Sequence, residues 1–386
     1  MALSYLYDRY VLKNLGIATL FTSLTLAAII LLTQSLKFLE LIMNSGASSA
    51  AFWMLTFLAL PRFFEVILPL ALMIATLFIY NRMMSDSEVV VMRAAGVSPM
   101  GMARPAITLG VIITIILLAI TTWLAPIALS GMVKMRQVIK TQYSTLLFRE
   151  GIFNAVGPDL TVYINKRNSK GELEGLLIHD SRPELLAPVT IIAKRGVVVS
   201  SDEGQQVLVY DGSRQDFNEK TGALNRLDFK RYSIDMPEPE AVRKRWKEPD
   251  ERTFLELLHP NAEDAEDMRY REQFVIEAHK RIISPFLALS YVAIALCCLL
   301  LGPVNRRGQA KRIFIAVITV IVIQSLFLTV LSLANKEPGA IVLMYITIFF
   351  PLFFALTALS SKGEKIRHKI MYRSKTLSPE KLREVS

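Results

Sequence analysis

Long apolar runs alternate with short polar connections along this chain. The runs are Gly16–Leu36, Phe52–Tyr80, Ile107–Leu129, Ile282–Leu301, Ile313–Ala334 and Ala340–Leu359. About 20 helical residues at about 1.5 Å each cover a hydrocarbon layer of about 30 Å, so each run predicts a membrane-crossing helix. The first run is too long for a signal-peptide core and lacks a small-residue cleavage pattern behind it, which makes it a retained anchor. Gly131–Lys140 reads as a polar helical extension of the third run. The period then changes. Leu160–Ile164 alternates, Val189–Ala193 and Val197–Ser200 are β-branched, and Val207–Tyr210 leads into a predicted turn at Asp211-Gly212. A second turn cluster, Glu219–Gly222, precedes Leu227–Phe229, which continues to Tyr232 and Ile234. Short strands separated by such turns predict an antiparallel sandwich or open barrel. Pro237, Pro239 and Pro249 mark a linker, and Asn261–Arg281 is a charged, helical stalk into the fourth run. The expected architecture is an α+β membrane protein with six transmembrane helices, three before and three after a β-rich insert. The first membrane half covers 1–135, the β-rich domain 136–260, the stalk and second membrane half 261–360, and a basic tail 361–386.

Charge gives the arrangement a direction. Arg9 and Lys13, then Arg82, Arg93 and Arg104, then Arg306, Arg307, Lys311 and Arg312 fall in alternate connections, and the tail from Lys362 is basic. The intervening connections carry only Lys37 and Lys336. Basic residues of short loops stay on the cytoplasmic side, so both termini are expected there and the β-rich insert on the outer side. The net charge of +10 follows from this topology. Beside a membrane it signals orientation or anionic-lipid contact and does not call for nucleic acid. With 52% hydrophobic and 20% charged residues, the chain is too oily for an ordinary soluble protein and too charged for a bare bundle. Its only cysteines, Cys297 and Cys298, are adjacent within the fourth run, where they pack and cannot staple an external domain.

Candidate chemistry is sparse. His179, His259, His279 and His368 stand outside metal-ligand spacing of one another, and no zinc-type cysteine pair exists, so neither a metal nor another cofactor is expected. Gly96-Val-Ser-Pro-Met-Gly101 has the glycine spacing of a phosphate loop, but Met102 stands where the lysine belongs, which excludes ATP hydrolysis by this chain. The span interiors lack the acids and histidines on which ion-coupled transporters depend. The second run holds Pro61, Arg62, Glu65 and Pro69. A helix restarting at Pro61 would put Arg62 and Glu65 on neighbouring positions near the outer interface. There they either form an ion pair that fixes depth or, with Lys37 at the outer end of the first run, present charge to an anionic headgroup. Gln324 is a lone amide in the fifth run, expected to bond to a neighbouring helix.

The connection between the second and third runs, Ser85-Asp-Ser-Glu88-Val-Val-Val-Met92-Arg-Ala-Ala-Gly96, has the marks of a separate helix over about residues 86–95. Ser85-x-x-Glu88 is a capping-box spacing, Arg93 suits the negative end of the helix dipole, and Gly96 suits a stop. Val89, Met92 and Val90 with Ala94 give it an apolar patch. Such a helix either lies on the membrane or slots into a cytosolic motor. Ser87-Glu88-Val-Val-Val-Met92-Arg-Ala-Ala-Gly96-Val-Ser98 resembles the signature between spans two and three of the lipopolysaccharide export permeases, the LptF/LptG family. Leu60-Pro61, Ile67-Leu-Pro69-Leu70 and Glu277-Ala-His279-Lys-Arg281-Ile-Ile-Ser-Pro285 are similar to the family's second span and the approach to its fourth. Gly302-Pro-Val-Asn305-Arg306 looks more like the LptF branch than the LptG branch.

The resemblance implies a non-catalytic permease, one half of an LptF–LptG-type pair seated on an LptB-like ATPase dimer in the inner membrane of a Gram-negative bacterium. It implies a periplasmic β-jellyroll-like domain that passes lipopolysaccharide toward an LptC-like protein. It assigns Glu88, with Ser85, Val89, Met92, Arg93 and Gly96 around it, to the helix that couples to the ATPase. Lys37, Arg62, Glu65 and Gln324 become lipid-side candidates, although the spacing around Lys37 departs from the family pattern. A permease for another lipid, or a membrane-anchored scaffold or sensor with a ligand-binding β domain, are the competing readings.

Overall fold

A computed structural model describes residues 2–45, 48–144, 150–155, 159–168, 172–182, 188–201, 204–218, 223–235, 245–302 and 309–360. Pro237, Pro239, the Glu219–Gly222 turn, most of the Gly302–Arg306 motif, His368 and the basic tail lie outside these residues. Before the β-rich region come α1 (Ala2–Ser45), α2 (Ser49–Ser85), the short α3 (Glu88–Ala94), α4 (Pro99–Ala119), a π-helical turn at Ile120–Leu124, and α5 (Ala125–Ser144). After it come α6 (Phe254–Leu258), α7 (Ala265–Arg269), α8 (Arg271–Ile283), α9 (Phe286–Leu300), α10 (Ala310–Ala334) and α11 (Ile341–Leu359). Among the described residues, five helical segments are long and apolar enough to cross a membrane, and α8 with α9 makes a sixth if that pair, bent by 42°, counts as one span.

The bend has a covalent cause and a matching repair. Pro285 follows α8 and has no amide hydrogen to give the Arg281 carbonyl one turn earlier. The Thr121 hydroxyl, presented by the π-helical turn after α4, donates to that carbonyl at 3.0 Å in a buried setting. In hydrocarbon an orphaned carbonyl is expensive, and a threonine from a neighbouring helix is a common remedy. Pro61 and Pro69, by contrast, lie inside a continuous α2; the expected restart at Pro61 does not occur.

The chain divides into two units: 1–35, 56–131 and 247–386 form one, and 36–55 with 132–246 form the other. The core of the first unit is built around α9, where Ala288, Val292, Ala293, Ala295, Leu296 and Leu299 have no exposure. It packs against α4, α10 and α11.

The second unit holds one six-stranded antiparallel sheet in sequential order β1-β2-β3-β4-β5-β6. The strands are β1 (Phe153–Ala155), β2 (Leu160–Arg167), β3 (Leu173–Asp180), β4 (Val189–Ser201), β5 (Gly204–Asn218) and β6 (Ala223–Asp235). Alternate residues, among them Leu160, Val162, Ile164, Leu176, Ile178, Ile191, Val207 and Val209, are buried in one apolar cluster. Asp211-Gly212 is no turn. It lies inside β5, where Asp211 takes a φ of 51° while Tyr210 and Gly212 stay paired with both β4 and β6. Ladder bonds on both sides hold the strand through a local turn preference.

Asp180 closes β3 and receives Arg182 Nε at 2.9 Å and Nη2 at 2.6 Å. Burial alone would push its carboxyl up, but the bonds from Arg182 and its charge hold it below the usual carboxylate range. A depressed folded-state value contributes stability above the unfolded value of about 3.9, and that contribution is lost as pH falls below it. The denaturation midpoint of the full chain in mild detergent should therefore exceed that of Asp180→Asn by a constant gap above about pH 5, narrowing below about pH 3.9. A gap that stays constant through the acid range would refute this role.

Candidate functional site

The end of α2 shows how α3 is set off from the spans. Asp86 N donates to Arg82 O at 2.9 Å and Ser87 N to Met84 O at 3.2 Å, so α2 closes in a tight turn. Ser87 then adopts the left-handed conformation, φ 63°, without a side-chain cap. The expected capping box is thus absent. Ser85 is still helical, and its hydroxyl donates backward to Asn81 O at 3.1 Å. A serine side chain turned back onto its own preceding turn is aimed away from the next helix's amides. Val90 N and Val91 N are instead taken by the Ser87 carbonyl, both at 3.1 Å.

The glycine stop is as expected. Gly96 has a φ of 82°. Its amide donates to Arg93 O at 3.0 Å, and Val97 N donates to Met92 O at 3.0 Å, the paired bonds of a Schellman ending. Met92 and Val97, which this ending brings together, both pack on the core. Ser98 then caps α4, accepting from Gly101 N at 3.1 Å. The glycine spacing that imitates a phosphate loop is therefore a helix stop followed by a helix start. Met102, where a nucleotide loop needs lysine, is buried, and its carbonyl accepts from Tyr7 at 3.1 Å and Tyr80 at 2.7 Å.

Tertiary packing decides which face of α3 is free. Val89 is 1% exposed and belongs to the core, while Val90 is 44% and Val91 65% exposed. Ala94 and Ala95 are also exposed, and Met92 is half-buried. The apolar patch inferred from Val89 and Met92 is thus the anchoring face, and Val90, Val91 and Ala94 form the outward one. Glu88 is half-buried beside the Tyr10 hydroxyl, at 3.5 Å. It stands at the polar end of an apolar groove of about 550 Å³ between α1 and α2, lined by Ile17, Phe21, Ile74 and Phe78 with Tyr10. Arg93 turns inward: Nη1 donates to Gly302 O at 3.3 Å and Nη2 to Leu300 O.

The remaining candidates lie elsewhere. Arg62 pairs with Asp250 of the linker at 3.1 Å, and Glu65 faces the cations of Lys280, Arg62 and Arg281 together with the Glu277 carboxylate. Glu277 in turn holds Lys280 at 2.9 Å and Arg281 at 3.1 Å. This network, which ties α2 and the linker to the stalk, drew Arg62 to a residue 188 positions away and not to Glu65. Lys37 is exposed on α1 within the sheet-containing unit. Gln324 accepts from the Tyr291 hydroxyl of α9, the interhelical bond expected of it.

A family model described as lipopolysaccharide export system permease LptF/LptG matches residues 9–362. The chain is similar to an uncharacterized protein of Rickettsia prowazekii, 24% identical over 361 residues, which covers 92% of this chain and 99% of that protein. It is also similar to the lipopolysaccharide export system permease protein LptG of Escherichia coli K12, 27% identical over 177 residues, which covers 45% of this chain and 48% of LptG.

Proposed function

Because the chain belongs to the LptF/LptG family of lipopolysaccharide export system permeases, we propose that it is a non-catalytic inner-membrane subunit that couples ATP hydrolysis by a partner to extraction of lipopolysaccharide. The reading has both termini in the cytoplasm, a second permease of the same family beside the chain, and an LptB-like ATPase dimer beneath it. The β-rich unit lies in the periplasm as a jellyroll-like relay, and lipid passes from it to an LptC-like protein. Alternation of Lys and Arg between connections supports the orientation. The apolar interior of the six-stranded sheet supports the relay, since acyl chains need such a surface.

One observation carries the coupling role. A short helix, stopped by a glycine and rooted by Val89, presents Val90, Val91 and Ala94 outward between two spans, with Glu88 at its start. An apolar strip beside a carboxylate suits a groove that combines an apolar floor with a donor. Closure of the motor would press α3, and with it α2 and α4, and narrow the space between the two permeases.

The test is purification in mild detergent from cells that also express the ATPase and second permease. The complex should contain the ATPase in fixed stoichiometry. Glu88→Ala, which removes a charged hydrogen-bond acceptor, should weaken ATPase association about tenfold or more. Full association and full lipopolysaccharide export by that variant would end this assignment. The resemblance of Gly302-Pro-Val-Asn305-Arg306 supports an LptF-type role. Similarity to LptG over 177 residues supports a second reading, the LptG-type half. Complementation of cells depleted of one or the other permease separates the two.

A further inference from the structure

Three helices meet at the C-terminal end of α9. A helix leaves its last carbonyls without amide partners, and Leu300 lies in that final turn with Gly302 just beyond it. Arg93 of α3 supplies the missing donors, one guanidinium nitrogen to each carbonyl. Arg312, in the first turn of α10, also lays its guanidinium against Gly302, where a Cβ would overlap it. Two cations from separate helices thus converge on the negative end of the α9 dipole. Cation and carbonyl are brought together across 209 positions of sequence, so nothing in local folding requires the contact.

We infer that Arg93 is a positioning residue that carries displacement of α3 into the second half of the chain, through the end of α9 and the adjoining start of α10. The inference rests on the proposal that α3 is the helix a motor presses. Through the backbone, α3 is joined only to α2 and α4, both in the first half. Val89 roots it in the core, but apolar contact is non-directional and lets a short helix slide or roll. A planar guanidinium bonded to two carbonyls fixes both distance and orientation, which a point charge does less well. Because α9 is the most enclosed helix of its unit, a shift at its end moves the packed bundle as a body rather than bending it.

The experiment compares wild-type, Arg93→Met and Arg93→Lys chains in the complete complex with the second permease and ATPase, reconstituted in proteoliposomes containing lipopolysaccharide. Arg93→Met should retain ATPase association, because its side chain is turned away from the Val90–Val91 surface. Its lipopolysaccharide exported per ATP should fall about tenfold, the fold-change expected for losing a charged hydrogen bond. Arg93→Lys, which keeps the charge but not the fork, should lie between. Amide exchange near residues 300–302 should quicken in Arg93→Met and be partly restored in Arg93→Lys. If Arg93→Met fails to assemble, Arg93→Lys decides alone: a reduced export ratio supports the inference and a wild-type ratio overturns it. Wild-type export per ATP or unchanged exchange in Arg93→Met also overturns it. Absence of ATPase from the wild-type complex would defeat the proposed function instead, and the exchange measurement would still judge the Arg93 contact.

Discussion

Replacing Asp267 with alanine is expected to destabilise the linker and stalk by about 3–5 kcal/mol, the usual loss when one partner of a buried ion pair is removed. The Asp267 side chain is 3% exposed and that of Arg252 is 11%. Arg252 Nη1 donates to Asp267 at 2.8 Å, and Asn261 N donates to the same carboxylate oxygen at 3.0 Å. Arg252 also donates through Nε to Lys247 O at 3.0 Å and lies 4.5 Å from the Phe274 ring centre. One carboxylate therefore holds the chain returning from the sheet against α7 and α8. Truncating it strands a cation against an aromatic face. The double change Asp267→Ala with Arg252→Met removes the stranded charge and should recover more than half of the loss. Denaturant midpoints in mild detergent, with proteolysis of the 247–261 segment as a local readout, measure both. Equal losses in single and double variants would show that packing, not charge, sets the cost.

That clamp marks the limit of what the chain discloses by inspection. The spans are legible because membrane crossing requires long apolar runs, but the stalk reads as running straight into the fourth run, and the 42° bend at Pro285 is not legible. Nor is the repair of that bend, since Thr121 and Arg281 lie 160 positions apart and an ordinary-looking threonine is made useful only by a π-helical turn. In the sheet, the β-branched runs Val189–Ala193 and Val197–Ser200 both belong to the single strand β4, and Val207–Tyr210 announces only the first half of β5. The strand β3 escapes the same rule because Leu-Glu-Gly-Leu-Leu-Ile-His-Asp has no valine or threonine and its Gly175 takes a φ of 65°. Arg62 shows a related failure. Spacing offers Glu65 as its natural neighbour, whereas the fold supplies Asp250, brought back by a linker whose path the local sequence does not encode.

The candidate site was half legible for the same reason. Gly96 can be recognised as a stop because a left-handed residue after a helix favours glycine whatever surrounds it. Ser85-x-x-Glu88 satisfies the spacing of a capping box, yet α2 runs on through Ser85 and absorbs its hydroxyl. Three successive valines carry no helical period, so only packing against the spans could choose Val89 as the root.

The two faces of α3 predict opposite outcomes for the same substitution. Val91→Asp places a carboxylate on a surface that is 65% exposed, so the chain should fold, reach the membrane and melt near the wild-type temperature. If that surface is where the ATPase docks, the carboxylate is desolvated on assembly without a partner. Association should then fall about a hundredfold or more, since burying an unpaired charge costs several kcal/mol. Val89→Asp puts the same charge into a site that is 1% exposed within the core, and there the loss should be of fold: low yield and a depressed melting temperature before any question of assembly arises. Co-purification of the ATPase, set beside melting in the same detergent, separates the cases. A Val91→Asp chain that binds the ATPase as wild type does would move the docking surface off this helix face, and a Val89→Asp chain that folds normally would show that α3 is not rooted through that valine.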